Sequence, residues 1–524
     1  MNAIDRAIEW MAPEHALRRM DARTRLQMIR KIKNSGYDES AASRKKNYGR
    51  GWNPANKSPQ EDIDKNLPTL RARSRSLVTS APLATSAIRT NRTNIVGSGI
   101  RPAPKIDFDL LNLSEGEAQR WQKNTQREFN VWAESKHSDL RKLNNFYENQ
   151  QLILMNQLVN GDACCIFTYA DKKDNRFMPY DLRLNIIESD RICTPGTTTN
   201  VNLFYKDPTT HNRVYNGVEI DDKGAVVAYH ICSVYPNSNL NIKKEWVRVK
   251  AYGEETGLEN VLMIFDSERA EQYRGVPYLA PVIESLKQLT RYTEAELMSA
   301  VVSSFFTAFV KTEADTGENP FTGMIPEEDS VSNSPTHYEM GPGAINVLNP
   351  GESVEFGDPK HPNGNFDMFV LSMAKYTGAA LEIPVELLTK SFTASYSASR
   401  AALLESWKMF RMRRQWLVND FCQPVYERFL MEAVASGRIV APGFFYSPVI
   451  RKAWSACQWN GPAPGMIDPV KELQAAALKI NLGVSSREKE AIEINGTEFN
   501  DNIRQLGKEA ELIEKYLGKE EENE

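Results

Sequence analysis

A contrast between two neighbouring stretches constrains this chain most. Residues 278–308 contain no glycine and a single proline, Pro281, placed where a first helical turn tolerates it. Val282, Leu286, Leu289, Leu297 and Val301 form an apolar stripe there. At about 1.5 Å of rise per residue, the predicted helix approaches about 40 Å. Residues 311–365 then hold fourteen Gly or Pro in 55 positions, which excludes helix and demands turns. A shorter helix is predicted over 365–381, stopped at Ile383-Pro384 because the residue before proline avoids helical geometry. Two helices therefore flank an irregular insertion.

Upstream, residues 62–96 read as helix, with Leu70, Leu77, Leu83, Ile88 and Ile95 on one side, Pro82 as a break and Arg71, Arg73 and Arg75 as decoration. Gly97-Ser98-Gly99 follows a helix rather than a strand and lacks a third glycine, so it reads as a helix C-cap and not as a dinucleotide loop. Ser114 and Glu117 form a capping box before a helix carrying Trp121, Phe129 and Trp132. Another helix spans roughly 143–160 and ends at Asn160-Gly161-Asp162. Strands are predicted at 163–169, 182–187, 214–220, 226–232, 247–251 and 261–265, with a hairpin at Asp221–Gly224. This part is an α+β domain of about 200 residues.

Downstream, the hydroxyl-rich run 387–397 lies between helices. A long helix is predicted over 397–436, kinked at Pro424 and stopped by Gly437, with Leu403, Trp407, Phe410, Leu417 and Phe421 on its apolar face. Three more helices are predicted: 469–481 after the Asp468-Pro469 cap, one from the cap at 485–488, and one over 498–517.

The 524 residues exceed one compact core, and 41% hydrophobic with 25% charged residues is ordinary globular usage. No apolar run of about 18 residues predicts a membrane helix. Asp5, Arg6 and Glu9 stand where a signal peptide needs an apolar core. The six cysteines show no metal-ligand spacing, and adjacent Cys164 and Cys165 point to opposite faces of a strand, so a reduced, intracellular site of assembly without zinc is expected.

Net charge is only −4, from 64 Lys and Arg against 68 Asp and Glu, but its distribution is uneven. Residues 1–50 hold twelve Lys or Arg against six Asp or Glu, a net of +6. They read as a solvated arm, or as an arm that meets nucleic acid or an acidic partner. Residues 311–365 carry ten acids against Lys311 and Lys360, a net of −8.

No catalytic, cofactor or metal residue is assigned. Neither a phosphate-binding Gly-x-x-x-x-Gly-Lys-Ser/Thr nor a Gly-x-Ser-x-Gly nucleophile turn is present. The acidic pair Glu327-Glu328 sits in the turn-rich segment, where solvated charge explains it. A metal-dependent nuclease or terminase-like hydrolase, with carboxylates gathered only by folding, stays open as an alternative. A monomeric DNA-binding adaptor with a basic arm is another.

This order of elements resembles the portal proteins of tailed phages, specifically the lambda-type family. The resemblance extends to PTLRARSRSLV at 68–78, AIRTNRTNIVGSGIRP at 87–102 and LVNGDACCIF at 158–167. SYSASRAALLESWKMFRMRRQW at 395–416 is the most specific stretch, followed by RKAWSACQWNG at 451–461 and DPVKELQAA at 468–476. It covers about residues 50–510, and the basic first 50 residues are a departure.

The resemblance implies a portal-type multidomain α+β chain that assembles, about twelve copies to a ring, at one capsid vertex of the virion after synthesis in the host cytoplasm. Double-stranded DNA would enter through the channel, driven by the terminase large subunit, and leave through it at infection. The major capsid or scaffold protein and a head–tail connector would be further partners, with no membrane. Residues 1–56 would be a basic arm, 57–275 the wing, 276–310 and 363–386 the stem, and 311–362 the clip. Residues 387–397 would be the tunnel loop, 398–436 a long kinked wing helix, and 437–524 a helical crown with an acidic tail.

Within the tunnel loop Lys390, Ser391, Phe392, Thr393 and Ser395 are the candidate DNA-channel residues, with Ser397 expected to cap the next helix. One Lys per subunit among neutral hydroxyls can steady a moving polyanion without gripping it. The acids of the clip could repel DNA from the wall or could face outward. Arg400, Arg411, Arg413 and Arg414, on one helix, are candidate subunit or DNA contacts, with plain solvation as the alternative for each.

Overall fold

The computed structural model describes residues 10–32, 54–171, 178–196, 205–238, 242–304, 308–310, 345–347, 365–392, 395–466 and 468–517. The chain divides into two units, Met1–Ser58 and Pro59–Glu524. In the first, α1 (Pro13–Ile32) forms within the basic arm, where the sequence pattern predicts none, and leaves Leu17, Met20 and Leu26 exposed.

In the second unit, Pro82 divides the 62–96 stretch into α2 (Leu67–Ser80) and α3 (Pro82–Ile95). Gly97, at φ 56°, ends α3 by donating its N–H to the Arg92 carbonyl, a left-handed position suited to glycine. β1 (Arg101–Pro104) precedes α4 (Glu115–Ala133), whose capping box from Ser114 to Glu117 is formed. α5 (Phe146–Asn160) then leads into a three-stranded antiparallel sheet of β2 (Asp162–Tyr169) flanked by β3 (Leu182–Ile187) and β8 (Val261–Phe265).

The expected strand over 214–220 is instead two, β4 (Arg213–Tyr215) and β5 (Val218–Ile220), turned at Asn216-Gly217, both at positive φ. With β6 (Val226–Cys232) and β7 (Trp246–Lys250) they form an antiparallel meander.

β2 joins two cores. Cys165 packs into the main core and Cys164 into a smaller one with Ile187, Ile192, Val218 and Ile231, so adjacent cysteines do face opposite ways. The main core is held by Phe129, Trp132, Phe146, Phe421, Tyr426 and Phe429, whose rings meet at centroid distances of 5.1–5.8 Å.

α6 (Ile283–Ser304) is the long helix after the wing, and α7 (Phe366–Ala380) the shorter one beyond the insertion. Most of the expected clip, 311–362, lies outside the described residues, but β9 (Ala308–Val310), just before it, pairs in parallel with β10 (Ile345–Val347), within it. α8 (Val385–Thr389) follows, then α9 (Tyr396–Leu417), a π-helical turn at Val418–Cys422, and α10 (Gln423–Ala435). The π turn stands just ahead of Pro424, where the missing N–H breaks the ordinary hydrogen-bond ladder.

After α11 (Pro448–Trp454), β11 (Cys457–Asn460) pairs antiparallel with β1, a join that the prolines of β1 mask in the sequence. α12 (Pro469–Asn481), α13 (Arg487–Asn495) and α14 (Phe499–Leu517) complete the chain as expected.

At the junction between α5, β2 and the start of α6, Asp162 and Arg274 are both fully buried. Arg274 meets Asp162 through Nε–Oδ2 at 2.8 Å and Nη2–Oδ1 at 3.1 Å, and donates to the carbonyls of Ser189, Ile192 and Asn216. Arg71 of α2 meets Asp162 at 2.9 Å and donates to the Asn160 carbonyl. Burial alone would push the Asp162 carboxyl up, but Arg274 and Arg71 outweigh it and hold it low.

Asp64 sits beside the same group with Oδ2 unpartnered. Burial pushes its carboxyl from the ordinary 3.8 to about 7, against the pull of Arg274 and Arg71. A raised carboxyl pKa means the folded state holds the proton more tightly, so folding stability falls as pH rises from about 4 to about 7. Asp64→Asn should leave stability unchanged near pH 4 and raise it increasingly up to pH 7, with a constant gain above. Denaturant melts of both proteins across that range check this; a gain independent of pH would remove Asp64 as the titrating group.

Candidate functional site

α8 and α9 bracket the expected tunnel loop, but its boundaries shift inward. Residues 387–389 close a helical turn, and the loop itself begins at Lys390, in the left-handed region at φ 57°. Ser395, not Ser397, caps α9, its hydroxyl accepting the Ala398 N–H at 3.4 Å; Ser397 lies within the first turn. Ser391 and Phe392 are exposed, and Thr393 lies outside the described residues.

The loop is seated on α3. Ser86 donates to the Leu388 carbonyl at 2.6 Å, and the Lys390 ammonium donates to the Thr90 hydroxyl at 2.6 Å. Desolvation there pulls the Lys390 ammonium down. Lys390 is thus a positioned cation at the loop's base, while Phe392 stands out from it, 55% exposed.

The four arginines of α9 do not converge. Arg400 faces Glu472 of α12 at 3.7 Å and Arg411 faces Glu493 of α13 at 3.9 Å. Arg413 lies 3.8 Å from Glu382 with its guanidinium 4.4 Å over the Tyr278 ring, tying α9 to the segments just before α6 and just after α7. Arg414 donates to the carbonyls of Asn94, Ile95 and Pro462 at 2.8–2.9 Å and lies 5.6 Å from the Trp407 ring. Burial, with Arg411 adding to it, pulls the Arg414 guanidinium down to about 10, so it remains charged at neutral pH. These pairings are within one chain; α9 is pinned by its arginines to the end of α3, to the C-terminal helices and to Tyr278 and Glu382.

Among the described residues, folding gathers one set of metal-ligating side chains that spacing does not reveal, Asp207, Glu219 and His230, with candidate ligand atoms within 4.8 Å of one another. Glu219, at its centre, is already engaged by protein groups. Arg248 engages both Glu219 oxygens, at 2.7 and 3.0 Å, and Thr210, Asn212 and His230 fill the remaining directions. Burial would raise the Glu219 carboxyl, yet those hydrogen bonds hold it at about 2. A cation there would have to displace a guanidinium, so this is a structural charge network in the β4–β7 meander. Glu327 and Glu328 lie outside the described residues.

Lys390 thus lies under an exposed loop that follows the helix-flanked insertion and precedes the long helix α9. The model of the family described as "Phage portal protein, lambda family" matches residues 45–414. The chain belongs to that family, and its role is that of a portal in DNA packaging. It is 25% identical to portal protein B of Escherichia phage lambda over 479 residues, spanning 88% of this chain and 86% of the relative. It is 24% identical to the portal protein of Escherichia phage N15, spanning 88% and 87%. Among solved structures, the neck of a native gene transfer agent particle aligns over 81% of this chain and 94% of that one, at a TM-score of 0.38 and 11% identity.

Arg414→Ala should cost about 1–3 kcal/mol, because three carbonyls lose their donor. Arg414→Lys should recover little of it, since one ammonium cannot span carbonyls that a planar fork reaches. Thermal unfolding of both variants checks this, and full recovery by lysine would refute the fork as the cause.

Proposed function

We propose that this portal protein is a non-enzymatic channel, a closed ring of about twelve copies at one capsid vertex. The terminase large subunit drives double-stranded DNA in through the ring, and a head–tail connector later docks for its exit. In this reading the major capsid or scaffold protein holds the wing, residues 57–275, and the host cytoplasm is where assembly occurs. The stem is 276–310 with 363–386, the clip 311–362, and the crown 437–524. The observation that carries the reading is Lys390, fixed on Thr90 at the base of an exposed loop in a chain whose family match runs through that loop.

A channel wall must hold the duplex near its axis without binding it tightly, because every phosphate neutralised adds salt-sensitive affinity that slows sliding. One ordered ammonium per subunit, followed by Ser391 and the exposed Phe392, meets that requirement. Ring closure needs complementary faces on each subunit. We assign one such face to the α9 arginines, with Arg400 and Arg411 the best placed because their in-chain pairs are long and part-exposed.

Light scattering of the purified protein should give a mass above about 0.6 MDa, as about twelve copies of 59.3 kDa require. Lys390→Glu should keep that mass and impair DNA packaging or retention in the filled head. A protein that stays monomeric at high concentration would overturn the ring, and wild-type packaging by the variant would remove Lys390 from the channel.

A further inference from the structure

Residues 65–106 contain eight Lys or Arg and not one Asp or Glu, an imbalance the tunnel loop does not explain. Four of these cations have structural employment. Arg71 and Arg75 pair with Asp162 and Asp190, Arg101 with Glu134, and Lys105 with Glu488. Arg89 and Arg92 of α3 have no hydrogen-bonding or ionic partner for their side chains among the described residues. Arg89 is exposed and Arg92 half-buried.

Their placement is set by how α3 is held. Its start takes the Leu388 carbonyl through Ser86, its middle takes Lys390 through Thr90, and its last carbonyls take Arg414 of α9. A helix gripped along one side can present only its remaining side to solvent. Arg89 follows Ser86 by three residues and precedes Arg92 by three and Thr93 by four, so these side chains are helical neighbours about 5–6 Å apart. The open side of α3 thus puts two uncommitted guanidinium groups and the exposed Thr93 next to the residues that seat the tunnel loop.

Guanidinium and hydroxyl groups at helical spacing, with no carboxylate among them, are the donor set that takes phosphate oxygens without reading bases. We propose that Arg89 and Arg92 of α3 form on each subunit a cationic ledge, a sequence-independent binding site for the phosphate backbone of double-stranded DNA. The inference rests on the channel reading above. It also extends it: the steadying charge comes from a rigid helix behind the loop as well as from the loop. An acidic protein segment is the competing occupant, and residues 311–365 of a second copy, at a net of −8, supply the obvious one.

The test uses the full-length protein, a fluorescently labelled duplex of arbitrary sequence, and a salt titration. Arg89→Gln with Arg92→Gln should keep the mass of the assembled wild type and lower duplex affinity about tenfold or more at low salt. The slope of log affinity against log salt should become shallower by about 0.9 for each phosphate that is no longer neutralised. Arg89→Lys with Arg92→Lys should retain most of the binding, and Lys123→Gln on α4 should change nothing. Unchanged affinity and slope in the Gln variant would overturn the proposal while leaving the ring intact. So would loss of the ring in both Gln and Lys variants, which would make these arginines assembly residues. A synthetic peptide of residues 311–365 that binds wild type but not the Gln variant would assign the ledge to protein instead. Monomeric wild type would refute the channel reading itself, a result the mass measurement separates from all the others.

Discussion

The buried pair of Asp162 and Arg274 is the constraint on which the rest of the second unit depends. Neither side chain is exposed, and Arg274 spends its donors on one carboxylate and three backbone carbonyls from separate elements. Removing either partner would strand a charge in the interior, which costs about 3–5 kcal/mol. The neighbouring glycines make the pair possible. A Cβ on Gly161 would lie 2.4 Å from the Gly275 carbonyl oxygen, and one on Gly275 only 1.9 Å from the Gly161 carbonyl oxygen. Two backbones therefore touch at Gly161 and Gly275, shortly before the chain enters α6.

A second consequence follows for the loop. α3 packs between α8 and α9, held by Ser86, Thr90 and the carbonyls that Arg414 caps. Arg71 of α2 joins the Asp162 group, and Ala81 alone separates α2 from α3. The charge group at the junction and the seat of the Lys390 loop are thus linked through α2 and α3. The exposed loop is positioned by buried groups, which is how a short loop can hold a cation in a defined place.

Much of the fold is legible in the residues. The Ser114 capping box, the Gly97 stop, the strands at 182–187, 226–232 and 261–265 and the helix at Pro469–Asn481 stand where local pattern predicts them. Pattern and structure part where two local signals compete. Apolar residues continue on both sides of Asn216-Gly217 and mimic one strand, although both of these residues take positive φ and turn the chain. Leu387 to Thr389 run directly into the hydroxyl-rich residues expected as the tunnel loop, yet Pro384 starts a helical turn there and shortens the loop. Several serines satisfy the capping rule before α9, and only the actual start of the helix selects Ser395 over Ser397.

By itself, the sequence determined element types, their stops and their order, and through the resemblance of ordered motifs it determined the family. Helical periodicity, caps and turn residues act within a few positions, so a linear reading can see them. Tertiary structure alone decided the partners: Asp162 with Arg274 across 112 residues, Lys390 with Thr90 across 300, and β1 with β11. It also decided that Arg414 is spent on backbone carbonyls while Arg89 and Arg92 have no such partner among the described residues. An arginine looks the same in a sequence whether its charge is committed or available, because commitment depends on which distant groups packing brings within about 3 Å.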